Sequence, residues 1–292
     1  MFEDLGQQLI NGLHVGSIYA LIALGYTMVY GIIKLINFAH GDILMIGAFL
    51  AYFLVRAGVP IPLVIIISTV LCALIGVAIE RFAYKPLRSA PRISALITAI
   101  AVSLFIENLF MILFKPDPRP FPTVLKLKAI SIGSLKINGI TILTIVLSAI
   151  LMILLEFFIN KTKTGKAMRA VSQDKQAALL MGININRTIS ATFAIGSALG
   201  AVGGILFSMS YPIIEPYMGM MPGLKAFVAA VLGGIGIIPG AMLGGVMMGV
   251  AESLTKSYIS SQLSDAVVFG ILILVLLIKP AGILGKNTRE KV

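Results

Sequence analysis

Residues 161–187 read KTKTGKAMRAVSQDKQAALLMGININR, and this polar stretch divides an otherwise apolar chain. It holds six bases, Lys161, Lys163, Lys166, Arg169, Lys175 and Arg187, against one acid, Asp174. An apolar run of spanning length leads into it, Ile140–Ile159, and another leads out, Ile189–Met209. Its second half has the grammar of a short helix. Ser172 is placed to accept hydrogen bonds from free N–H groups at the start, and Asp174 falls in the first turn, where the helix dipole favours an anion. Ala177, Ala178, Leu180 and Met181 supply an apolar face. Gly182 is the expected stop, because glycine takes the left-handed C′ conformation without strain. A short helix of this kind at a membrane surface suits docking into a groove of another protein. The competing reading is a solvated loop that only carries positive-inside charge.

The chain has 292 residues, of which 58% are hydrophobic and 12% charged. A soluble domain carries roughly twice that share of charge. The expected fold class is therefore all-α, a polytopic integral membrane protein with about 8–9 transmembrane helices, some short or broken. One membrane domain is expected over 1–292, since the widest polar gaps are only the loops 115–138 and 161–187. The net charge of +11, from 23 basic and 12 acidic residues, reads as topology and contact with anionic membrane lipids, not as nucleic-acid binding. The single cysteine, Cys72, lies in an apolar run, so neither a disulfide nor a thiolate-metal site is expected. The start, MFEDLGQQLINGLHV, has acids where a cleavable signal peptide has bases, so the first hydrophobic segment is expected to stay in the mature protein.

A helix needs about 20 apolar residues to cross a bilayer. Leu9–Ile33, Ile61–Ile79, Ile93–Phe114, Ile140–Ile159, Ile189–Met209 and the shorter Ala266–Ile278 meet or approach that length. Two regions are irregular. Ile43–Val55 is short and follows the interruption Lys34-Leu-Ile-Asn-Phe-Ala-His-Gly-Asp42. Leu224–Leu254 is long enough for two short segments, broken at Gly233-Gly-Ile-Gly-Ile-Ile-Pro-Gly240. Short apolar segments interrupted by Gly or Pro point to a transport route.

Lys and Arg placement sets the orientation. Glu80–Arg92, the central loop and the tail Lys279–Val292 are basic and are expected in the cytoplasm. Lys115–Asn138 lies one span from the first two of these and is expected outside, although it also carries five bases. Glu3 and Asp4 suggest an outside N-terminus. An outside start and an inside end need an odd number of crossings, which is met if both halves of 224–254 cross. Within the outer gap, Thr123–Ile132 alternates apolar and polar residues before Gly133-Ser134 and Leu135-Lys-Ile137, the pattern of a small hairpin.

No catalytic or metal constellation stands out, and no cofactor is expected. Gly165-Lys166 and Gly285-Lys286 lack the context of a phosphate-binding loop, and the only histidines are His14 and His40. The polar candidates are instead read against two roles, a helix-linking turn and the lining of a solute pathway. Unwound backbone at Asn37-Phe-Ala-His-Gly41-Asp42 must line a cavity or be buried in protein, since lipid satisfies no N–H or C=O group. Asn37, His40 and Asp42 are placed to hold that turn by side-chain-to-backbone bonds, and a plain helix-linking turn is the alternative. Glu107 lies two-thirds along a span, and such a group usually faces the bundle interior or a pore. Glu252 is near a span end and is expected at the interface. Glu80-Arg81 reads as a helix-end pair. Gly233, Gly234 and Gly236 would let backbone approach a solute or a neighbouring helix. Gly196–Gly204, GSALGAVGG, reads as close helix packing.

Three of these stretches together resemble a family. Asn37-Phe-Ala-His-Gly-Asp42 after a Gly-rich first helix, Thr164-Gly-Lys-Ala-Met-Arg-Ala170 followed by Ala177-x4-Gly182-Ile-Asn184, and Leu232-Gly-Gly-Ile-Gly236 with Pro239-Gly240 occur in the order seen in permeases of branched-chain amino-acid ABC importers, of the Liv H-subunit type. Gln176-Ala-Ala178-x3-Gly182 is similar to the E-A-A-x3-G loop with which importer permeases dock on their ATPase, with Gln for Glu. Where the wider pattern has isoleucine and proline, this chain has Thr192-Phe193. The resemblance implies a permease that is itself no enzyme, working with a sister permease subunit, two ABC ATPase subunits and a periplasmic or extracellular solute-binding protein, in the bacterial cytoplasmic (inner) membrane. It implies that Ser172, Asp174, Gln176, Ala177, Ala178 and Gly182 belong to the ATPase-docking helix. An ion-coupled secondary transporter, an ABC permease for urea or short amides, and a non-transporting scaffold are the alternatives.

Overall fold

The computed structural model describes residues 2–88, 90–123, 125, 127–133 and 135–285. Its helices are α1 (Phe2–Ile33), α2 (His40–Arg56), α3 (Ile61–Ile79), α4 (Arg92–Phe114), α5 (Gly139–Lys161), α6 (Lys163–Gln173), α7 (Lys175–Leu180), α8 (Ile185–Ser210), α9 (Met220–Gly233), α10 (Ile238–Tyr258) and α11 (Ser264–Ile278). α3 continues through a π-helical turn at Glu80–Tyr84 and a 3₁₀ turn at Lys85–Leu87. Among the described residues six helices are long and apolar enough to cross a membrane: α1, α3 with its continuation, α4, α5, α8 and α10. α9 and α11 are apolar but shorter.

The apolar window of α1 is 94% buried, against 17% for α4 and 28% for α5. α1 is therefore the axis of the bundle, and α4 and α5 form its rim. Small residues make that axis possible. A Cβ on Gly16 would lie 2.8 Å from the Val246 Cα, and one on Gly12 would lie 2.6 Å from the Val250 Cα. Further along, Gly31 faces Gly236. α1 and α10 thus run antiparallel in backbone contact, the arrangement small residues permit between membrane helices. The GSALGAVGG run of α8 also packs closely, with Gly196 on the Gly25 backbone, Gly200 on the His40 ring and Gly203 on the Ile22 side chain.

The loops sort to two ends. At the basic end, Arg88 donates to Asn186, Ser190 donates to Glu80, and Ile283 N–H donates to the Leu232 carbonyl at 2.8 Å. Lys175 lies close enough to Arg88 and Lys34 that its ammonium pKa is pulled down, by burial first and by those two charges second. At the far end, the Gln7 side chain bonds the Lys136 backbone, and a two-residue strand β1 (Arg119–Pro120) pairs antiparallel with β4 (Ile213–Ile214). The expected hairpin is present there as β2 (Ile130–Ile132) and β3 (Leu135–Ile137), turning at Gly133 with φ +63°. Its first strand is shorter than the alternation suggested. Ser134 and the tail bases Lys286, Arg289 and Lys291 lie outside the described residues.

Two of the traverses are half helix and half extended chain. After α1 ends at the basic end, residues 34–39 turn back, and α2 begins at His40 beside Gly25 of α1. Gly25 is about 12 Å up α1 from Ile33, so α2 starts inside the bundle and runs to the far end, where Phe53 meets Phe114. In the opposite sense, residues 211–219 enter from the far end, and α9 starts beside the start of α2. A Cβ on Gly41 would lie 2.7 Å from the Gly219 carbonyl oxygen. The expected short segment Ile43–Val55 is thus a longer helix, and α9 begins before Leu224. With both counted, among the described residues the chain traverses the bundle an odd number of times, from α1 entering at the far end to α11 leaving at the basic end.

Candidate solute pathway and docking helix

The docking segment is two helices, not one. Thr162 caps α6 by accepting from Gly165 N–H at 3.0 Å, and α6 runs on through Ser172. Ser172 therefore does not cap the second helix; its hydroxyl donates to the Arg169 carbonyl at 2.7 Å. Asp174 is the cap, accepting from Gln176 N–H at 2.8 Å and Ala177 N–H at 3.0 Å. Asp174 wins because its backbone is already extended, with φ −149° and ψ 113°, the geometry a cap needs. Gly182 closes α7 at φ +78°. Its N–H bonds the Leu179 carbonyl, and Ile183 N–H bonds the Ala178 carbonyl, the paired bonds of a Schellman stop. The expected apolar face divides. Ala178 is buried against the bundle, while Leu179, Leu180 and Met181 are 60%, 87% and 82% exposed.

The polar turn at 37–42 is tied mainly to other helices: Asp42 bonds its own backbone as expected, but Asn37 and His40 reach distant elements instead. Tyr84 Oη donates to Asn37 Oδ1 at 2.7 Å. His40 Nε2–H donates to the Ile22 carbonyl at 3.2 Å, and the ring stands edge-on to Tyr26 at 4.7 Å. α2 starts at Ala39 with no side-chain cap, and α9 starts at Gly219 with none.

Between those two helix starts and α4 lies a cavity of about 280 Å³. Gly41, Asp42 and Glu107 line it, with Tyr26, Phe38 and Phe227 as aromatic wall and Ser103 beside the acids. Asp42 and Glu107 are 2% and 6% exposed. Ser103 hydrogen-bonds the Asp42 carboxyl, yet Asp42 Oδ2 is buried without a partner. Leu104, Met220 and Leu224, which also line the cavity, are exposed on the outer surface of the bundle.

The glycine break is elsewhere. Gly233 packs on the Gly240 backbone, and Gly234, at φ +110°, packs on Gly282 and Gly285. Gly236, at φ +93°, borders a separate cavity of about 70 Å³ near Gly31, Arg169 and Ser172. The structure brings Gly41, Asp42 and Glu107 together, sets Asn37 and His40 behind them, and leaves Gly233, Gly234 and Gly236 at the basic end.

Two other expectations are corrected. Glu252 is buried and paired inside the bundle rather than free at a surface. It is 3% exposed and accepts from Tyr19 Oη at 2.8 Å and Lys225 Nζ at 2.9 Å, with Lys256 also on it. Lys225 also pairs with Asp265 at 2.7 Å. Buried charges need partners, and these bind α1, α9, α10 and α11 together. Glu80 pairs with Arg88, the residue that follows the 3₁₀ turn, not with Arg81. Sequence reasoning missed Lys225, although a base inside an apolar run was visible. It also missed Ser103, whose spacing of four from Glu107 puts both on one face of α4.

Comparison with known proteins adds the family. The model of the branched-chain amino acid transport system permease component matches residues 8–276. The high-affinity branched-chain amino acid transport system permease protein BraD of Pseudomonas aeruginosa is 46% identical over 98% of this chain and 97% of its own length. The corresponding LivH protein of Escherichia coli strain K12 is 42% identical over 98% and 97%. The ribose import permease protein RbsC of Haemophilus influenzae is 26% identical over 82% of this chain and 75% of its own. No solved structure matches.

Proposed function

The chain belongs to the family of branched-chain amino acid transport permease components, and from that premise we propose that it forms the solute route of an importer powered by separate ATPase chains. It is a multi-pass permease of the cytoplasmic (inner) membrane, and its cargo is branched-chain, hydrophobic amino acids. All of 1–292 acts as one permease domain. The basic end, with the coupling loop 161–187, faces the cytoplasm; the far end, with the loop 115–138, faces outside. Two ABC ATPase subunits dock at the first, and a soluble solute-binding protein delivers at the second. A sister permease subunit lies alongside, and membrane lipids cover the rim.

One observation carries this reading. Asp174 and Gly182 fix both ends of α7, and Leu179, Leu180 and Met181 project from it beyond the bundle. Exposed apolar side chains on so short and so firmly stopped a helix fit a protein groove. Gln176 and Ala177 are exposed on the same element, while Ala178 anchors it. A push on α7 would pass to α8 and, through its contacts with α2, to the start of α2. There Gly41, Asp42 and Glu107 line the route, supported by Asn37 and His40. Gly233, Gly234 and Gly236 line or gate the route at its inner mouth, where Gly236 borders the smaller cavity.

Reconstitution tests the function. Vesicles holding the permease pair, the ATPases and the binding protein should take up leucine with ATP and continue when ion gradients are collapsed. Uptake that survives removal of the ATPases but fails with the gradient would make the chain an ion-coupled transporter. Flux under neither condition would leave only the scaffold reading. Sidedness has its own check. Lys136, exposed in the hairpin, should react as Lys136→Cys with a membrane-impermeant thiol reagent in intact spheroplasts. Labelling only after lysis would invert the orientation of the whole chain.

A further inference from the structure

We propose that Asp42 and Glu107 receive the ammonium group of the solute in the cavity where α2, α4 and α9 meet. The proposal rests on the pathway reading above and adds which end of the solute is recognised there, and by which residues. Three observations carry it.

The first is an unmet partner. Asp42 is 2% exposed, it lines the cavity, and its Oδ2 has no hydrogen-bond partner. Among the described residues neither Asp42 nor Glu107 has an ion-pair partner, and no lysine or arginine lines the cavity. The contrast with Glu252 is direct, since that buried carboxylate is met by Tyr19 and two lysines. Ser103 and the local backbone meet one side of the Asp42 carboxyl, but a buried carboxylate with one oxygen unmet is costly unless it takes up a proton or a cation comes to it.

The second is the local charge. Two helices start at the cavity without side-chain caps. Each start carries roughly half a positive charge, so when both carboxyls are ionised about one negative charge remains uncompensated, and a cation settling there would keep them ionised. That remainder suits one ammonium group. It does not suit a further carboxylate.

The third is the wall. Apart from the acids and Ser103, the lining side chains are aromatic or aliphatic, with Phe38, Leu104, Leu224 and Phe227 among them. A branched aliphatic side chain is accommodated by such a surface, while the few polar groups orient it. A site for an inorganic cation would offer several oxygens around one point. Among the described residues no group of three His, Cys, Asp or Glu side chains gathers anywhere.

The test uses the importer complex purified with its own partner subunits, without nucleotide or binding protein. Its thermal midpoint is measured with L-leucine, with 3-methylbutylamine, with 4-methylpentanoate and with sodium chloride at matched ionic strength. Leucine keeps both end groups, the amine lacks the carboxylate, and the acid lacks the ammonium. Leucine and the amine at high concentration should each raise the midpoint by about 2 °C or more. The acid and the salt should not. Asp42→Asn and Glu107→Gln should each remove the rise. Equal stabilisation by 4-methylpentanoate would overturn the proposal, and so would an equal rise with sodium chloride, which would mark a site for an inorganic cation. No rise with leucine in a complex that transports it would overturn it as well. If neither variant assembles, the four-ligand comparison on the unaltered complex still decides. ATP-driven leucine uptake by that complex is measured separately, so loss of the pathway reading is told apart from loss of the ammonium site.

Discussion

Leu180→Glu is expected to weaken capture of the ATPase subunits about thirtyfold or more while the permease itself still folds. Leu180 is 87% exposed, so in the isolated chain the change adds a charge to a surface and alters stability by only about 0.5 kcal/mol. In a docked complex the same position would be desolvated. A carboxylate there has no partner, and changes at the centre of an interface commonly cost about 2 kcal/mol or more, some thirtyfold in affinity. Gly182→Val should act on the same step by a different route. The residue sits at φ +78° with open space around it, so the penalty is backbone strain alone, which is greatest for a β-branched side chain. The Schellman bonds at Leu179 and Ala178 would be lost, and Leu180 and Met181 would no longer be presented at a fixed angle. Co-purification of the ATPases and ATP-driven uptake are the measurements. Wild-type recovery and uptake in both variants would remove α7 from the docking role.

Gly204→Val is expected to remove the folded protein altogether. Gly204 of α8 packs on the backbone of Leu44 in α2, and a Cβ there would lie 2.9 Å from the Leu44 carbonyl carbon and closer still to its oxygen. Backbone cannot move aside as a side chain can. Overpacking of a tight contact costs about 1–3 kcal/mol, and two methyl groups beyond the Cβ add to that. The displaced element would be α2, whose first turn carries Asp42. Gly270→Ala is the matched control, because nothing lies within 4 Å of a Cβ at that site. Monodisperse yield from detergent extracts is the readout. Normal yield of Gly204→Val with normal uptake would mean that α2 and α8 do not meet as described.

What could be read from residue order was local. The apolar run lengths placed α3, α5 and α8 to within a few residues, because a bilayer sets helix length and composition reports it directly. Gly182 was legible for a similar reason: a left-handed stop is a property of one residue and its neighbours. The cap of α7 was not. Ser172 and Asp174 are both competent caps, and the choice went to Asp174 because α6 runs on through Ser172, which residue type alone does not announce. The start of α2 at His40 was hidden in the same way. Asn37, His40 and Asp42 look like turn residues, yet Tyr84 and the Ile22 carbonyl satisfy Asn37 and His40 from far along the chain. The sequence alone also showed that Glu107 and the interruption before α2 were unusual in apolar surroundings. That they face one cavity, that Gly41 meets Gly219 there, and that the glycines near Gly233 close on Gly240 and Gly282 instead, was decided only by tertiary structure. The reason is that uncapped helix ends and buried charges are defined by what stands opposite them, and in this chain the opposing groups are supplied by other helices.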